Sequence, residues 1–445
     1  MSPPKAKEFE SAYSQRSFLA GAFWPGLVYC GFMFSRRTSW NLAPNAFSRA
    51  LEAHRQAGRE VLDLTLSNPT EAGLHYDEAA ILGALANPRS LVYSPSPKGL
   101  APAREAVAGY YSAIGRFGLG DRESSQLPPW LDSIILTVST SEAYSFLFRL
   151  LCEPADEILV PTPSYPLFEF LADLQDVRLI PYPLFYDHGW HVDLHGLESR
   201  LSACSRAILL VHPNNPTGSY IKRAERAELN RIAAQHGLAL IVDEVFLDYA
   251  IGEDRSAAGT APAGRGLERV SSFVFNRGAL TFTLSGISKL SGLPQMKLAW
   301  IVVSGRGDLA AAALARLEVI ADTYLSLSTP IQLAAPLLLA QGPGIRQQLG
   351  QRIQANLDVL DRELAHHPLC ARLQVEGGWY AILRVPVTRT DEELAIALLK
   401  STGVLVQPGY FYNFSSEGHL VLSLITPEAT FAEGVKRLLQ FVDEK

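Results

Sequence analysis

The chain has 445 residues, 48% of them hydrophobic and 19% charged, with a formal net charge of −6 and no basic block. That balance describes an ordinary globular protein long enough for two domains, and it argues against nucleic acid and anionic membrane as partners. The four cysteines, Cys30, Cys152, Cys204 and Cys370, have no paired spacing, which disfavours a zinc site or a disulfide framework and fits a reducing, cytoplasmic setting.

Residues 18–34, FLAGAFWPGLVYCGFMF, are almost wholly apolar, but Pro25 interrupts a run of marginal length for a membrane span. Residues 1–32 are expected to be a non-native or disordered extension, with Met33 as the natural start. Residues 45–57 carry Phe47, Ala50, Leu51 and His54 on one face and predict a helix stopped at Gly58. VLDLTL (61–66) alternates as a strand does and runs into the turn SNPT (67–70). YSPSPKG (93–99) is a Pro/Gly-rich loop before a helix near 101–115.

From 133 to 304 short apolar strands alternate with helical stretches. SIILTV, EILVP, VRLIPY, RAILLVH, LALIVD, SFVFN and LAWIVV predict a mostly parallel sheet sandwiched by helices, an α/β domain. Helices near 306–325 and 344–366 follow, then strands near 372–385, 404–407 and 419–424, with helices near 390–401 and 428–442. These predict a smaller α+β domain. The expected division is 33–80 and 326–445 in the small domain and 81–325 in the large one, with the helix at 306–325 linking them.

Ligands of such sheets bind beyond the carboxyl ends of the strands. Ser139, Thr140 and Ser141 follow SIILTV and open a helix, an anion-binding end as well as an ordinary N-cap. Tyr165 stands between prolines in PTPSYP (161–166). Asn214 and Asn215 lie in HPNNPTG (212–218), where turn chemistry alone also favours asparagine. Asp243 ends the apolar strand of IVDEVF (241–246), where a carboxylate needs a cation or an N-cap role. Lys289 lies in SKLSGLPQMKLAW (288–300), among small residues. Together these offer an amine, a carboxylate for a protonated ring nitrogen, an amide for a phenolic oxygen, an aromatic wall and a phosphate cradle. Each suits a feature of pyridoxal 5′-phosphate.

On these motifs the chain resembles the class I/II aminotransferases of fold type I, the aspartate aminotransferase superfamily, over roughly residues 36–445. The resemblance implies a large sheet domain with a smaller domain beside it, pyridoxal 5′-phosphate held as an aldimine on Lys289, and ping-pong transamination between an L-amino acid and a 2-oxo acid. It implies that Asp243 pairs with the ring nitrogen, Asn215 meets the ring oxygen and Tyr165 stacks on the ring. Ser139, Thr140 and Ser141 would hold the phosphate, Tyr93 would reach the phosphate of a second subunit in a homodimer, and Asn68, Tyr165 and Asn215 would face the substrate.

Four positions depart from the family pattern. Phe246 replaces a tyrosine that donates to the ring oxygen. Gly286 replaces a serine three places before the lysine, with Ser285 as a conceivable stand-in. Lys297 replaces the phosphate-binding arginine, keeping charge without the bidentate fork. Val421, in HLVLSLIT (419–426), stands where the family places the arginine that clamps the substrate carboxylate; Arg384 is a conceivable substitute, though a solvated strand residue is the plainer reading. A β-lyase or synthase on the same scaffold, or a catalytically degenerate cofactor-binding protein, are the alternatives. His188, His191 and His195 lack a thiol or carboxylate cluster in register and read as a solvated loop rather than a metal site. GYFYNF (409–414) reads equally as core and as the lining of a substrate entrance.

Overall fold

In the computed structural model, which describes residues 33–116, 130–166, 168–252 and 269–444, the expected extension over 1–32 lies outside the described part. The N-terminal segment contributes α1 (Ala46–Gln56), β1 (Leu62–Asp63) and α2 (Glu78–Leu85). Asn45 caps α1 by accepting from Ser48 N at 2.7 Å, and Phe47 and His54 face inward. Only Leu62 and Asp63 of the expected strand 61–66 form a ladder, parallel to Val404 and Leu405.

The large domain follows with α3 (Ala101–Arg116), β2 (Ile134–Thr137), α4 (Thr140–Leu151), β3 (Glu157–Thr162), α5 (Phe168–Asp173), β4 (Arg178–Tyr186) and β5 (Trp190–Val192). It continues with α6 (Leu194–Glu198), β6 (Ser205–Val211), α7 (Arg223–His236), β7 (Ala239–Asp243), β8 (Thr281–Gly286), α8 (Ile287–Leu290), β9 (Ala299–Ser304), α9 (Gly307–Tyr324) and α10 (Thr329–Ala340). The eight strands run in the order β2-β9-β8-β7-β6-β3-β4-β5. β9 and β5 are antiparallel to their neighbours and the other six point one way, so the carboxyl ends of β2, β3, β6, β7 and β8 share one edge. The central strands are buried on both faces, which explains their near-continuous Ile, Leu and Val runs. Ile135, Leu284 and Ile301 face α4 and α9, whereas Ile134, Leu136 and Trp300 face α3 and α10.

The chain ends with α11 (Gly342–Leu364), β10 (Ala371–Arg372), β11 (Tyr380–Arg384), α12 (Asp391–Thr402), β12 (Val404–Leu405), β13 (Gln407–Pro408), β14 (His419–Ser423) and α13 (Glu428–Asp443). β10-β11-β14-β13 form an antiparallel sheet, and its core takes in Phe47, Leu62 and Leu64 from the N-terminal segment.

Three expectations are corrected. SFVFN is not a strand: Phe273 N donates to the Glu244 carboxylate (2.6 Å), Val274 N to Ser272 Oγ (3.2 Å) and Asn276 N to Phe273 O (2.8 Å). With its amides spent on local turns it cannot join a ladder, and the strand is TFTLSG instead. The helix at 306–325 does not link the domains; α9 packs on α4, β9 and β2, while α11 touches α8 and α10 at one end and α13 and β10 along the rest. The unforeseen α10 packs on α3 and α2, so the expected division at 325 falls inside a packed layer of the large domain.

Candidate active site

β7 delivers Asp243 to the shared strand edge with its side chain only 8% exposed. Tyr144 Oη donates to Asp243 Oδ2 at 2.8 Å and Val245 N to Oδ1 at 3.0 Å. Burial lifts this carboxyl to about 6, against the pull of those two donors and of the Lys289 charge. Asp243 ends β7, and Lys289 stands in α8, the single turn that follows the adjacent parallel strand β8. Glu244 turns the other way, accepting from Phe273 N (2.6 Å) and Ser272 Oγ (2.8 Å), and burial raises it to about 8.

Lys289 Nζ lies 3.3 Å from the Ser67 carbonyl, 4.5 Å from the centre of the Trp379 ring and 5.6 Å from that of Phe246. The SNPT loop and the small domain thus meet at the amine. Trp379 is seated there by a close backbone approach: Gly218 has φ +70°, and a Cβ on it would lie 2.4 Å from the Gly377 carbonyl. Phe246 packs edge-on against Trp379 (5.3 Å between centroids) and offers no donor.

The two asparagines separate cleanly. Asn214 donates to Pro163 O (3.0 Å) and Thr217 Oγ1 (2.9 Å) and accepts from Ser164 Oγ (2.8 Å), so it clasps the TPSYP turn. Asn215 is buried, and its Oδ1 has no partner among the described residues. Tyr165, on the clasped turn, packs its edge on Phe168 at 5.9 Å and remains partly exposed. The GYFYNF loop docks here too: Ser164 N donates to Tyr412 O (3.0 Å) and Thr162 Oγ1 to Asn413 O (2.8 Å).

Ser139 caps α4, accepting from Glu142 N at 3.1 Å. The amides of Thr140 and Ser141 meet no acceptor among the described residues. Ala299 pairs with Thr137, so the ends of β2 and β9 lie side by side here, and Lys297 stands two residues before that pair in the chain. Lys297 itself is exposed, with φ +51°.

Ser285 is not the stand-in for the absent serine. It pairs in register with Trp300 and shares its face of the sheet, the α3 side, where its hydroxyl lies 3.5 Å from the Glu244 carbonyl; α4 covers the opposite face. Strand alternation points neighbouring residues apart, so Gly286, not Ser285, faces α4. A Cβ on Gly286 would lie 2.9 Å from the Leu298 carbonyl. Gly286→Ser is therefore expected to destabilise the fold by about 1–3 kcal/mol through overpacking rather than to add a phosphate contact. An unchanged urea midpoint in that variant would contradict this.

Asn68 closes its own turn, accepting from Thr70 N (3.1 Å) and Thr70 Oγ1 (2.8 Å) and donating to Glu71 (3.2 Å); it is its neighbour Ser67 that touches Lys289. Val421 is 0% exposed between Ile382 and Gln407. Arg384 is no substitute: it is exposed and opposite His419 at the far end of β11, whose near end follows Trp379. Tyr93 stands 80% exposed beside the exposed Leu91 and Val92. His188 pairs with Asp187 (2.8 Å) and His191 packs on Phe185; among the described residues no three His, Cys, Asp or Glu side chains are grouped to hold a metal.

Two contacts escape sequence reasoning. Tyr144 lies four residues after Thr140, one helical turn into α4, a spacing that brings it back over the strand ends. Trp379 reaches the lysine from a domain 90 residues away in sequence, with no local signal. The arrangement fits pyridoxal 5′-phosphate: the buried side-chain amide of Asn215, a buried carboxylate in want of a cation, an amine in the turn after the next strand, and an unsatisfied helix N-terminus at one strand edge.

The family model described as aminotransferase class I and II matches residues 59–438. The chain is 24% identical to glutamate-pyruvate aminotransferase AlaA of Haemophilus influenzae over 398 residues, 87% of this chain and 92% of the relative. It is 25% identical to alanine aminotransferase of Mycobacterium tuberculosis over 394 residues, 86% of each. In fold it is similar to alanine aminotransferase from Pyrococcus furiosus, with TM-score 0.76 and 20% identity over 89% of this chain and 96% of that one.

Proposed function

The chain belongs to the class I and II aminotransferases, enzymes that use pyridoxal 5′-phosphate, and from that premise we propose how its own residues divide the work. Lys289 is the amine that would hold the cofactor and, when free of it, would move the substrate Cα proton as base and as acid. Asp243, held by Tyr144 and Val245, pairs with the ring nitrogen. Asn215 would meet the ring oxygen, Tyr165 would cover one ring face, and the head of α4, with Lys297, would receive the phosphate. The cofactor supplies an aldehyde and a protonated ring that draws off electrons. The observation that carries this reading is geometric: β7 ends in the buried Asp243, and Lys289 stands in the turn that follows the adjacent parallel strand β8.

Tyr93, with Leu91 and Val92, supports a homodimer in which Tyr93 reaches the neighbouring site. Light scattering is expected to give twice the chain mass, and Tyr93→Asp to weaken both dimer and cofactor retention; a monomer that keeps its cofactor would end that reading. The thiols of Cys152, Cys204 and Cys370 are free, which supports a reducing cytoplasmic setting, and no helix among the described residues is long and apolar enough to cross a membrane.

The names of the relatives make alanine and glutamate the first donors to test, against pyruvate and 2-oxoglutarate as acceptors. Because β14 presents Val421 rather than a guanidinium, the panel also includes amines without an α-carboxylate. Transfer of the amino group to the oxo acid, with a visible cofactor band, is the expected result. Release of ammonia without an acceptor would replace this reading with a lyase.

A further inference from the structure

The turn that carries Lys289 is held by three side chains from three separate parts of the fold. α8 is a single turn, so its last carbonyls have no helical amides to meet. Tyr249 Oη donates to Lys289 O at 2.6 Å, Arg346 Nη1 to Leu290 O at 3.3 Å, and Tyr76 Oη to Gly292 O at 2.8 Å. Tyr249 is fully buried and follows Asp243 by six residues, in the turn that leaves β7. Arg346 sits near the start of α11 and faces Asp248 at 3.5 Å, which in turn accepts from Tyr110 Oη at 2.7 Å. One short turn, residues 243–249, therefore carries the carboxylate, the acid that orients Arg346 and the hydroxyl that grips the lysine backbone.

We propose that Tyr249 and Arg346 are positioning residues of the reaction, fixing the backbone of Lys289 relative to Asp243. This rests on the reading of Lys289 as the reactive amine. The amine must serve first as the attachment point and then as the proton carrier, so its swing has to start from a fixed Cα. A backbone grip leaves the four-carbon side chain free to move while holding its root. Tyr249 sets that root against the carboxylate by a single hydrogen bond. Arg346 adds the position of α11, the helix that spans both domains, so the seating of the small domain is transmitted to the lysine turn.

Tyr249→Phe tests this by deleting one oxygen while the ring keeps its edge-on contact with Trp379, 5.2 Å between centroids. The expected result is a kcat lower by about 10–100-fold, the scale of a misplaced reacting group, with KM little changed. The pH midpoint of the visible band of the cofactor-loaded variant is expected to shift, and kcat per folded molecule to fall, even though the unmet Lys289 carbonyl also lowers the urea midpoint. A purely structural tyrosine would move the urea midpoint and leave kcat per folded molecule and the band midpoint alone, and that outcome overturns the proposal. Should Tyr249→Phe fail to fold, Arg346→Lys keeps the charge facing Asp248 but not the reach to Leu290 O. In that variant a lower kcat with a shifted band midpoint supports the proposal, and an unchanged kcat and band midpoint overturn it. A wild-type chain that develops no band with pyridoxal 5′-phosphate would refute the role of Lys289 itself, which separates that failure from this one.

Discussion

Replacing Lys289 with alanine is expected to lower turnover by at least about 10⁴-fold, the upper end of what one positioned acid–base group contributes, equivalent to about 5 kcal/mol of barrier. The loss should fall on kcat rather than on substrate binding, because the amine acts on the reacting carbon. The fold should survive. The ammonium is half-buried over the rings of Trp379 and Phe246, contacts worth about 0.5–2 kcal/mol, and removing it also relieves a charge held partly out of water. Circular dichroism and the urea midpoint check the second half of this expectation, and single-turnover assays the first. Near wild-type transamination by Lys289→Ala would leave the proposed chemistry without its centre. A secondary effect follows from the field between the two groups: without Lys289, Asp243 should titrate higher still, since that charge is one of the forces holding it down.

Asp243→Asn is expected to cost about 10²–10⁴-fold in turnover, the scale of about 3–5 kcal/mol found when one member of a buried charged pair is removed. Its effect on the cofactor-free chain has the opposite sign. The folded carboxyl titrates near 6, above its ordinary value of 3.8, so between those values the folded chain keeps a proton that the unfolded chain has released. Stability then falls as pH rises through that window, and it levels off above it. A displacement of about 2 units corresponds to about 3 kcal/mol. Asparagine has no such titration. The variant without cofactor should match the wild type near pH 4 and exceed it at pH 7, while the loaded wild type recovers the difference because a protonated ring nitrogen compensates the charge. Equal pH dependence of the two cofactor-free chains in urea unfolding would show that burial of Asp243 carries no such penalty.

Lys289 and Asp243 stand out in the sequence as candidates because each sits in a local signal: the lysine among small residues ahead of an apolar strand, the aspartate where a very apolar strand breaks off in a polar residue. The same holds for the asparagine pair of HPNNPTG and for Ser139 to Ser141. The choice between Asn214 and Asn215 is not visible in HPNNPTG as a string. It needs the TPSYP turn, about 50 residues earlier, to occupy one amide and leave the other. Ser285 misleads for a related reason: neighbouring positions look equivalent in sequence, yet the pleat sends them to opposite faces of the sheet.

Residue type and local periodicity are enough to give the class of fold and to single out the strand ends as candidates for the chemistry, and the resemblance to the family marks the departures at Phe246, Gly286, Lys297 and Val421. The surroundings of the amine come from packing alone. Trp379 above Lys289, Tyr144 on Asp243, and the grip of Tyr249, Arg346 and Tyr76 on the lysine turn join residues 40 to 216 positions apart. No pattern of nearby residues encodes such contacts. They arise when strand order and the packing of α11 bring distant segments to one edge.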